Sequence, residues 1–169
     1  MSEKANFSNI YTFYDLINTV LTFGFDKSWR EKAVSNLIGK SVLDLGSGTG
    51  AAYEQLLNFE TTAIDPDKKM LELNAFDNKV LGSAENLPFE DNSFDNVFCS
   101  FVWRNVSDTN NALNEVYRVL RPGGKFILLD MTRPKNSFLR MLHKIGTFKV
   151  LHLIGLITFN LKEYRFLYK

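Results

Sequence analysis

The residues best suited to chemistry are Gly46-Ser47-Gly48-Thr49-Gly50, directly after the apolar segment Ser41–Leu45 with its Asp44, and Asp65, which lies nineteen positions after Gly46. A glycine loop between a strand and a helix lets backbone N–H groups approach a ligand closely, and a side chain on Gly46 or Gly48 would occupy that space. Asp65 ends a second apolar segment, Thr61–Ile64, where a carboxylate can accept hydrogen bonds from both hydroxyls of a ribose. The Gly-x-Gly-x-Gly spacing departs from the Gly-x-Gly-x-x-Gly of NAD enzymes and disfavours that cofactor. These residues have ordinary structural uses too: a tight turn for the glycines, and an N-cap before Pro66 for Asp65. The combination favours a ligand, because both features sit at the carboxyl ends of adjacent strands, where open α/β sheets bind.

The elements that must position these residues alternate along the chain. Residues 7–38 read as two helices, with Ile10, Phe13, Tyr14, Ile17 and Leu21 at helical spacing, a break at Gly24, and Asp26 capping a second helix through Trp29, Val34 and Leu37. Strand Ser41–Leu45, the glycine loop and a helical stretch through Leu57 follow. Strand Thr61–Ile64 then leads to a helix begun by Asp67 and containing Met70, Leu71 and Leu73. A short strand is expected near Lys79–Leu81, a loop over Ser83–Ser93, and a fourth strand at Phe94–Ser100. Asp108 or Thr109 caps the next helix, whose Leu113, Val116, Tyr117 and Leu120 share one face; Arg121-Pro122-Gly123-Gly124 stops it before strand Lys125–Asp130. Five alternations argue an α/β fold, a parallel sheet with helices on both faces.

The 169 residues, 45% hydrophobic, suffice for one core and thus a single domain. We divide it into N-terminal helices (1–38), a cofactor-binding core (39–132) and a C-terminal segment (133–169). The net charge of +1 and the lack of a basic, aromatic-interleaved patch argue against nucleic acid. The single Cys99, expected in a buried strand, excludes an intrachain disulfide; His143 and His152 are too few and wrongly spaced for a metal site. The opening residues lack a signal-peptide core, which predicts a cytoplasmic protein. Charge is uneven: residues 133–169 carry eight Lys/Arg against Glu163 alone, +7, whereas residues 1–132 carry twelve against eighteen Asp/Glu, −6. The apolar run from Ile145 to Phe159 is interrupted by Lys149 and His152 and is too short to cross a bilayer.

Ser83-Ala84-Glu85-Asn86-Leu87-Pro88-Phe89 and Asp91-Asn92-Ser93-Phe94-Asp95 resemble the adenine-side region of small-molecule methyltransferases. Further segments are similar to the menaquinone/ubiquinone biosynthesis methyltransferase family: Tyr14-Asp15 with Asn18, Gly24 and Trp29-Arg30; Arg104-Asn105-Val106; Tyr117 through Gly124; and Arg133-Pro134. The resemblance runs from about Phe13 to the last residues, and Arg104-Asn105-Val106 is its most specific part. It implies a Rossmann-like doubly wound sheet, five parallel strands in order 3-2-1-4-5, and S-adenosylmethionine as cofactor. Its cofactor residues would be Thr49, Asp65 on the ribose, Ser83 and Ala84 flanking the adenine, and Ser100 facing the methionine portion, joined by Asp44 and the loop Gly46, Ser47 and Gly48. The implied acceptor is a quinol-type ring such as demethylmenaquinol.

Methyl transfer from a sulfonium is an in-line displacement, so alignment and exclusion of water are the enzyme's main tasks. A ring carbon becomes nucleophilic when its hydroquinone hydroxyl loses a proton, and a nearby cation stabilises the phenolate. Arg104 is expected in that role, with Asn105 orienting the ring oxygen and Tyr14 or Asp15 closing the pocket; the alternative is that Arg104 and Asn105 brace the loop after the fourth strand. Methylation of another small acceptor, and a cofactor-binding module without turnover, are the competing functions. The family pattern continues past the point where this chain stops, so its final antiparallel hairpin is expected to be missing. The basic, apolar C-terminal segment would then cover the open sheet edge, join a homodimer, or lie peripherally on anionic lipid.

Overall fold

The computed structural model describes residues 19, 22 and 24–131. Lys27–Met131 form a compact unit. In chain order the elements are helix α1 (Asp26–Val34), strand β1 (Ser41–Leu45), helix α2 (Tyr53–Leu56), β2 (Glu60–Asp65), α3 (Lys68–Leu73), β3 (Lys79–Leu81), β4 (Phe94–Ser100), a 3-10 turn (Trp103–Asn105), α4 (Thr109–Val119) and β5 (Leu120–Leu129). The strands form a parallel sheet in the order β3-β2-β1-β4-β5. This is the expected Rossmann-like order, and it reverses between β1 and β4.

The central strands are apolar on both faces because both faces are covered. Leu43, Leu45, Ile64, Val97 and Cys99 pack with Val116 and Val119 of α4. Val42, Ala63 and Phe98 point the other way and pack with Ala52 and Leu56 and with Ala33 and Val34 of α1. Side chains alternate with period two along a strand. Asp44, Asp65 and Ser100, each two positions beyond Val42, Ala63 and Phe98, therefore belong to that second face. Cys99 is fully buried on the first, and burial pushes its thiol pKa up to about 12.

The helix starts follow from short polar side chains. Asp67 accepts from the Lys69 and Met70 N–H groups to open α3, and Asp108 accepts from Asn111 N–H to open α4. The buried stripe of α4 differs from the expected one: Ala112, Val116 and Val119 face the sheet, whereas Leu113 is 45% and Tyr117 84% exposed. Positions i, i+4 and i+7 reach the core, and the flank between them is taken by Glu115 and Arg118, which bond the loop before β4. Leu120 has left the helix and opens β5.

Strand β5 also begins earlier than Lys125. Leu120 pairs with Phe94 and the register then shifts, so that Lys125 pairs with Asn96. Arg121-Pro122-Gly123-Gly124 is thus an irregularity within the strand. A Cβ on Gly124 would lie 2.8 Å from the Arg121 carbonyl and 2.9 Å from that of Asp95, a backbone approach open only to glycine. Asp95 anchors this end of the sheet. Its carboxylate accepts from Lys40 N–H (2.8 Å), Ser41 N–H (3.0 Å) and Arg121 Nη1 (2.7 Å). These donors, the Lys40 amide foremost, hold its pKa well below the usual carboxylate range.

Several expectations fall outside the described residues: the first N-terminal helix, Tyr14 and Asp15, the two histidines, and segment 133–169 with its edge-covering, dimer and lipid readings. Among the described residues no helix is long and apolar enough to cross a membrane, and no group of three or more His, Cys, Asp or Glu could hold a metal ion.

Removing the Asp95 hub leaves two strand-end amides and a guanidinium without their acceptor. Asp95→Ala should lower stability by about 1–3 kcal/mol at pH 7 in urea unfolding. A depressed folded pKa contributes stability above the unfolded carboxylate range, so the gap between wild type and variant should narrow as pH falls below about 4. A gap that is constant across that range would show that the Asp95 charge contributes nothing.

Candidate functional site

The loop after β1 is shaped by backbone. Gly46, Gly48 and Gly50 all have positive φ, +71°, +53° and +88°, and the Gly46 and Ser47 N–H groups both donate to the Ile64 carbonyl on β2, at 2.8 and 3.0 Å. The sequence suggested that a side chain at Gly46 or Gly48 would fill ligand space. At Gly46 the structure assigns that space to protein: a Cβ there would overlap the Val102 side chain, while at Gly48 it would meet only the Met70 sulfur at 3.4 Å. Gly46 is thus required for packing of the segment after β4 against the loop.

Asp65 closes the loop from β2. One carboxylate oxygen accepts from Gly48 N–H at 2.9 Å and the other from Asp67 N–H at 2.8 Å. Burial pushes its pKa up, and these two amides pull it down. Each oxygen keeps a lone pair, so the carboxylate can serve the turn and still accept from a ligand. Asn74, which sequence reasoning passed over, supports the loop from below. Its Nδ2 donates to Ser47 Oγ (3.1 Å) and to the Gly48 carbonyl (3.0 Å), and its Oδ1 accepts from Phe76 N–H. An asparagine just after a helix reads as a terminator, and nothing local signals this reach back by 27 residues.

Asp44 is the next-to-last residue of β1 and Ser100 the last of β4, on either side of the point where strand order reverses. Asp44 Oδ2 and Ser100 Oγ are buried and have no hydrogen-bond partner. Burial pushes the Asp44 carboxyl up to about 7, opposed by the nearby Arg30 guanidinium and reinforced by Asp65. Arg30 is itself buried and lies over the Phe101 ring, 5.4 Å from its centroid. Phe101 follows Ser100 in the left-handed region, φ +61°, its N–H held by the Leu129 carbonyl at 2.7 Å. A carboxylate oxygen and a hydroxyl, both buried and unpartnered on neighbouring strands, suit a ligand carrying N–H donors or positive charge.

Ser83 and Ala84 are half-buried just beyond β3, where Gly82 N–H donates to the Asp65 carbonyl. The loop they open is strapped to α4: Glu115 accepts from Leu87 N–H, and Arg118 donates to the Leu87 and Phe89 carbonyls and to Asp91. Arg104 and Asn105 are exposed on the 3-10 turn after β4. Arg104 pairs with Asp130, at the end of β5, across 3.3 Å, and Trp103 packs against Phe126 at 5.3 Å between ring centroids. Asp44, the glycine loop with half-buried Thr49, Asp65, Ser83, Ala84 and Ser100 thus share the carboxyl edge of the sheet, with Arg104 and Asn105 following at the same edge.

A model of the ubiE/COQ5 methyltransferase family matches residues 3–169. The ubiquinone/menaquinone biosynthesis C-methyltransferase of Rickettsia bellii is 37% identical over 182 residues, which cover 95% of this chain and 73% of the relative. Its counterpart from Rickettsia akari is 36% identical with the same coverage. Among solved structures, a SAM-dependent methyltransferase of Thermotoga maritima, described as a possible histamine N-methyltransferase, aligns with TM-score 0.63 and 28% identity over 85% of this chain and 68% of its own. A Methanococcus maripaludis structure aligns with TM-score 0.65 over 96% of this chain and 80% of its own, and at 24% identity shows likeness of fold alone.

The Asp44 environment has a measurable sign. With a folded pKa near 7, the folded chain keeps a proton that the unfolded chain releases near pH 4, so stability without ligand falls as pH rises through that window. Asp44→Asn should flatten this dependence, gaining up to about 4 kcal/mol on wild type between pH 4 and pH 8 in urea unfolding. Parallel pH profiles would mean that Asp44 stays ionised throughout.

Proposed function

The chain belongs to the ubiE/COQ5 methyltransferase family, and from that premise we propose that it C-methylates a quinol-type ring at the carboxyl edge of its sheet. It is an S-adenosylmethionine-dependent methyltransferase. The observation that carries the site assignment is the pair of buried, unpartnered acceptors, Asp44 Oδ2 and Ser100 Oγ, on the same sheet face as Asp65. They fit the ammonium-bearing methionine portion of the cofactor. Asp65 would accept from the ribose, Ser83 and Ala84 would flank the adenine, and Gly46 through Thr49 would line the approach.

When bound, S-adenosylmethionine supplies an electrophilic methyl carbon on a sulfonium. The chain's own task is to present the acceptor in line and exclude water. Arg104 would stabilise the phenolate formed as the ring hydroxyl loses its proton, and Asn105 would orient the ring oxygen. Asp130 holds one guanidinium nitrogen of Arg104, which orients the group and leaves other N–H donors for the ring oxygen. The relatives' names support the quinone-type acceptor.

Calorimetric titration with S-adenosylmethionine, followed by incubation with a reduced demethylmenaquinone analogue, should show binding and then release of S-adenosylhomocysteine with methylated product. Asp65→Ala should weaken cofactor affinity about 10- to 100-fold. Arg104→Ala should bind cofactor normally and lose about 100-fold or more in kcat. Wild-type turnover by Arg104→Ala would leave Arg104 a brace for Asp130, and cofactor binding without product would favour another acceptor or a cofactor-binding module without turnover.

A further inference from the structure

Glu85 stands between the two halves of the site. It lies two residues after Ser83, and its carboxylate crosses to the segment that follows the Trp103–Asn105 turn: Oε1 accepts from Ser107 N–H at 2.9 Å and from Asp108 N–H at 3.4 Å. Its backbone carbonyl accepts from Asn111 Nδ2 at 2.6 Å. Asp108 caps α4 and Asn111 lies in its first turn, so the side chain and backbone carbonyl of half-buried Glu85 together join the loop after β3, the segment following the turn after β4 and the start of a helix. Burial opposes the charge on Glu85, but backbone amides, including those of Ser107 and Asp108, and the Ser83 hydroxyl together hold its pKa below the ordinary value.

The rest of the loop is held elsewhere. Leu87 and Phe89 are strapped further along α4 by Glu115 and Arg118. A displacement of Ser83 and Ala84 therefore meets the turn carrying Arg104 and Asn105 through Glu85. A carboxylate accepting two backbone N–H groups is a directional joint, and charge-assisted bonds of this kind are about twice as strong as neutral ones.

We propose that Glu85 is a positioning residue that couples cofactor occupancy beside Ser83 and Ala84 to placement of the Trp103–Asn105 turn against the methyl acceptor. This rests on the assignment of those two regions under the proposed function. It makes acceptor binding depend on the adenine side being filled, an order that keeps the acceptor out of a site without a methyl donor. Coupling of this kind changes affinity by about 5- to 150-fold between sites.

Trp103 reports on the turn directly. The chain has two tryptophans, and Trp29→Phe leaves Trp103 alone. In that full-length background, S-adenosylhomocysteine should shift Trp103 emission, and Glu85→Ala, which removes the acceptor of both amides, should abolish the shift while keeping affinity for S-adenosylhomocysteine within about threefold. In turnover assays the acceptor KM should rise about tenfold or more, with the S-adenosylmethionine KM unchanged. Glu85→Gln, which keeps the acceptor oxygen without the charge, should restore part of the shift; it carries the same measurement if circular dichroism shows that Glu85→Ala is unfolded. A retained shift and acceptor KM in a folded Glu85 variant overturns the proposal, as does a loss of S-adenosylhomocysteine affinity that parallels the rise in acceptor KM, the mark of a merely structural role. Binding to the parent without any Trp103 shift overturns the coupling alone, whereas absence of binding to the parent overturns the cofactor reading of the site and this inference with it.

Discussion

Gly48 donates its N–H to the Asp65 carboxylate across 2.9 Å, and that bond joins the loop after β1 to the end of β2. Parallel strands end with their next backbone groups unpaired by the sheet, and buried amides need acceptors. Here the Ile64 carbonyl takes two of them and Asp65 takes a third. The loop can then hold the positive φ values that only glycine adopts at low cost, and Asn74 secures it from the opposite side. Without the Asp65 bond, the Gly48 amide would be buried and unsatisfied, and Ser47 and Thr49 would lose their placement. One carboxylate thus fits both the turn and the ligand reading left open by the sequence, because its oxygens have capacity for both.

Much of this was readable from the chain. Apolar segments bounded by turn residues located β3 and β4 to the residue, and Asp67 and Asp108 announced their helices because a short acceptor before an apolar run has few other uses. What escaped were contacts distant in sequence. Asn74 bonds a residue 27 positions back and Glu85 one 22 positions ahead, and no local period encodes either. On α4 the buried stripe is Ala112, Val116 and Val119 rather than the one through Leu113 and Tyr117, because the residues beside it, Glu115 and Arg118, are committed to the loop before β4; hydrophobic character alone did not decide which stripe was buried. At Gly46 the glycine was recognised and its neighbour was not: Val102, more than fifty residues later, takes the space.

The two ends of the sheet treat the same residue type in opposite ways. At the amino edge Asp95 has three donors, and its carboxyl is held far into the ionised range. At the carboxyl edge Asp44 is buried with an oxygen unpartnered, and its carboxyl is pushed up to about 7. A satisfied carboxylate stabilises the fold, and an unsatisfied one burdens it until something arrives with donors. Electrostatics therefore distinguishes the edge that holds the sheet from the edge proposed to bind the cofactor.

The backbone at the carboxyl edge is bent as well. Phe101 adopts φ +61° directly after Ser100, a conformation costing a bulky residue on the order of 1–3 kcal/mol. Burial of its ring, the Arg30 guanidinium over it and the bond to the Leu129 carbonyl hold it there. The consequence is directional: the chain leaves β4 in a sharp bend, Val102 drops into the space that Gly46 leaves, and the 3-10 turn follows at the carboxyl edge. Strain at Phe101, the orphaned acceptors of Asp44 and Ser100 and the positive-φ loop all occur at that one edge. A ligand that supplied donors there would satisfy groups that the free protein leaves unpaired, and its binding would stabilise the fold by linkage.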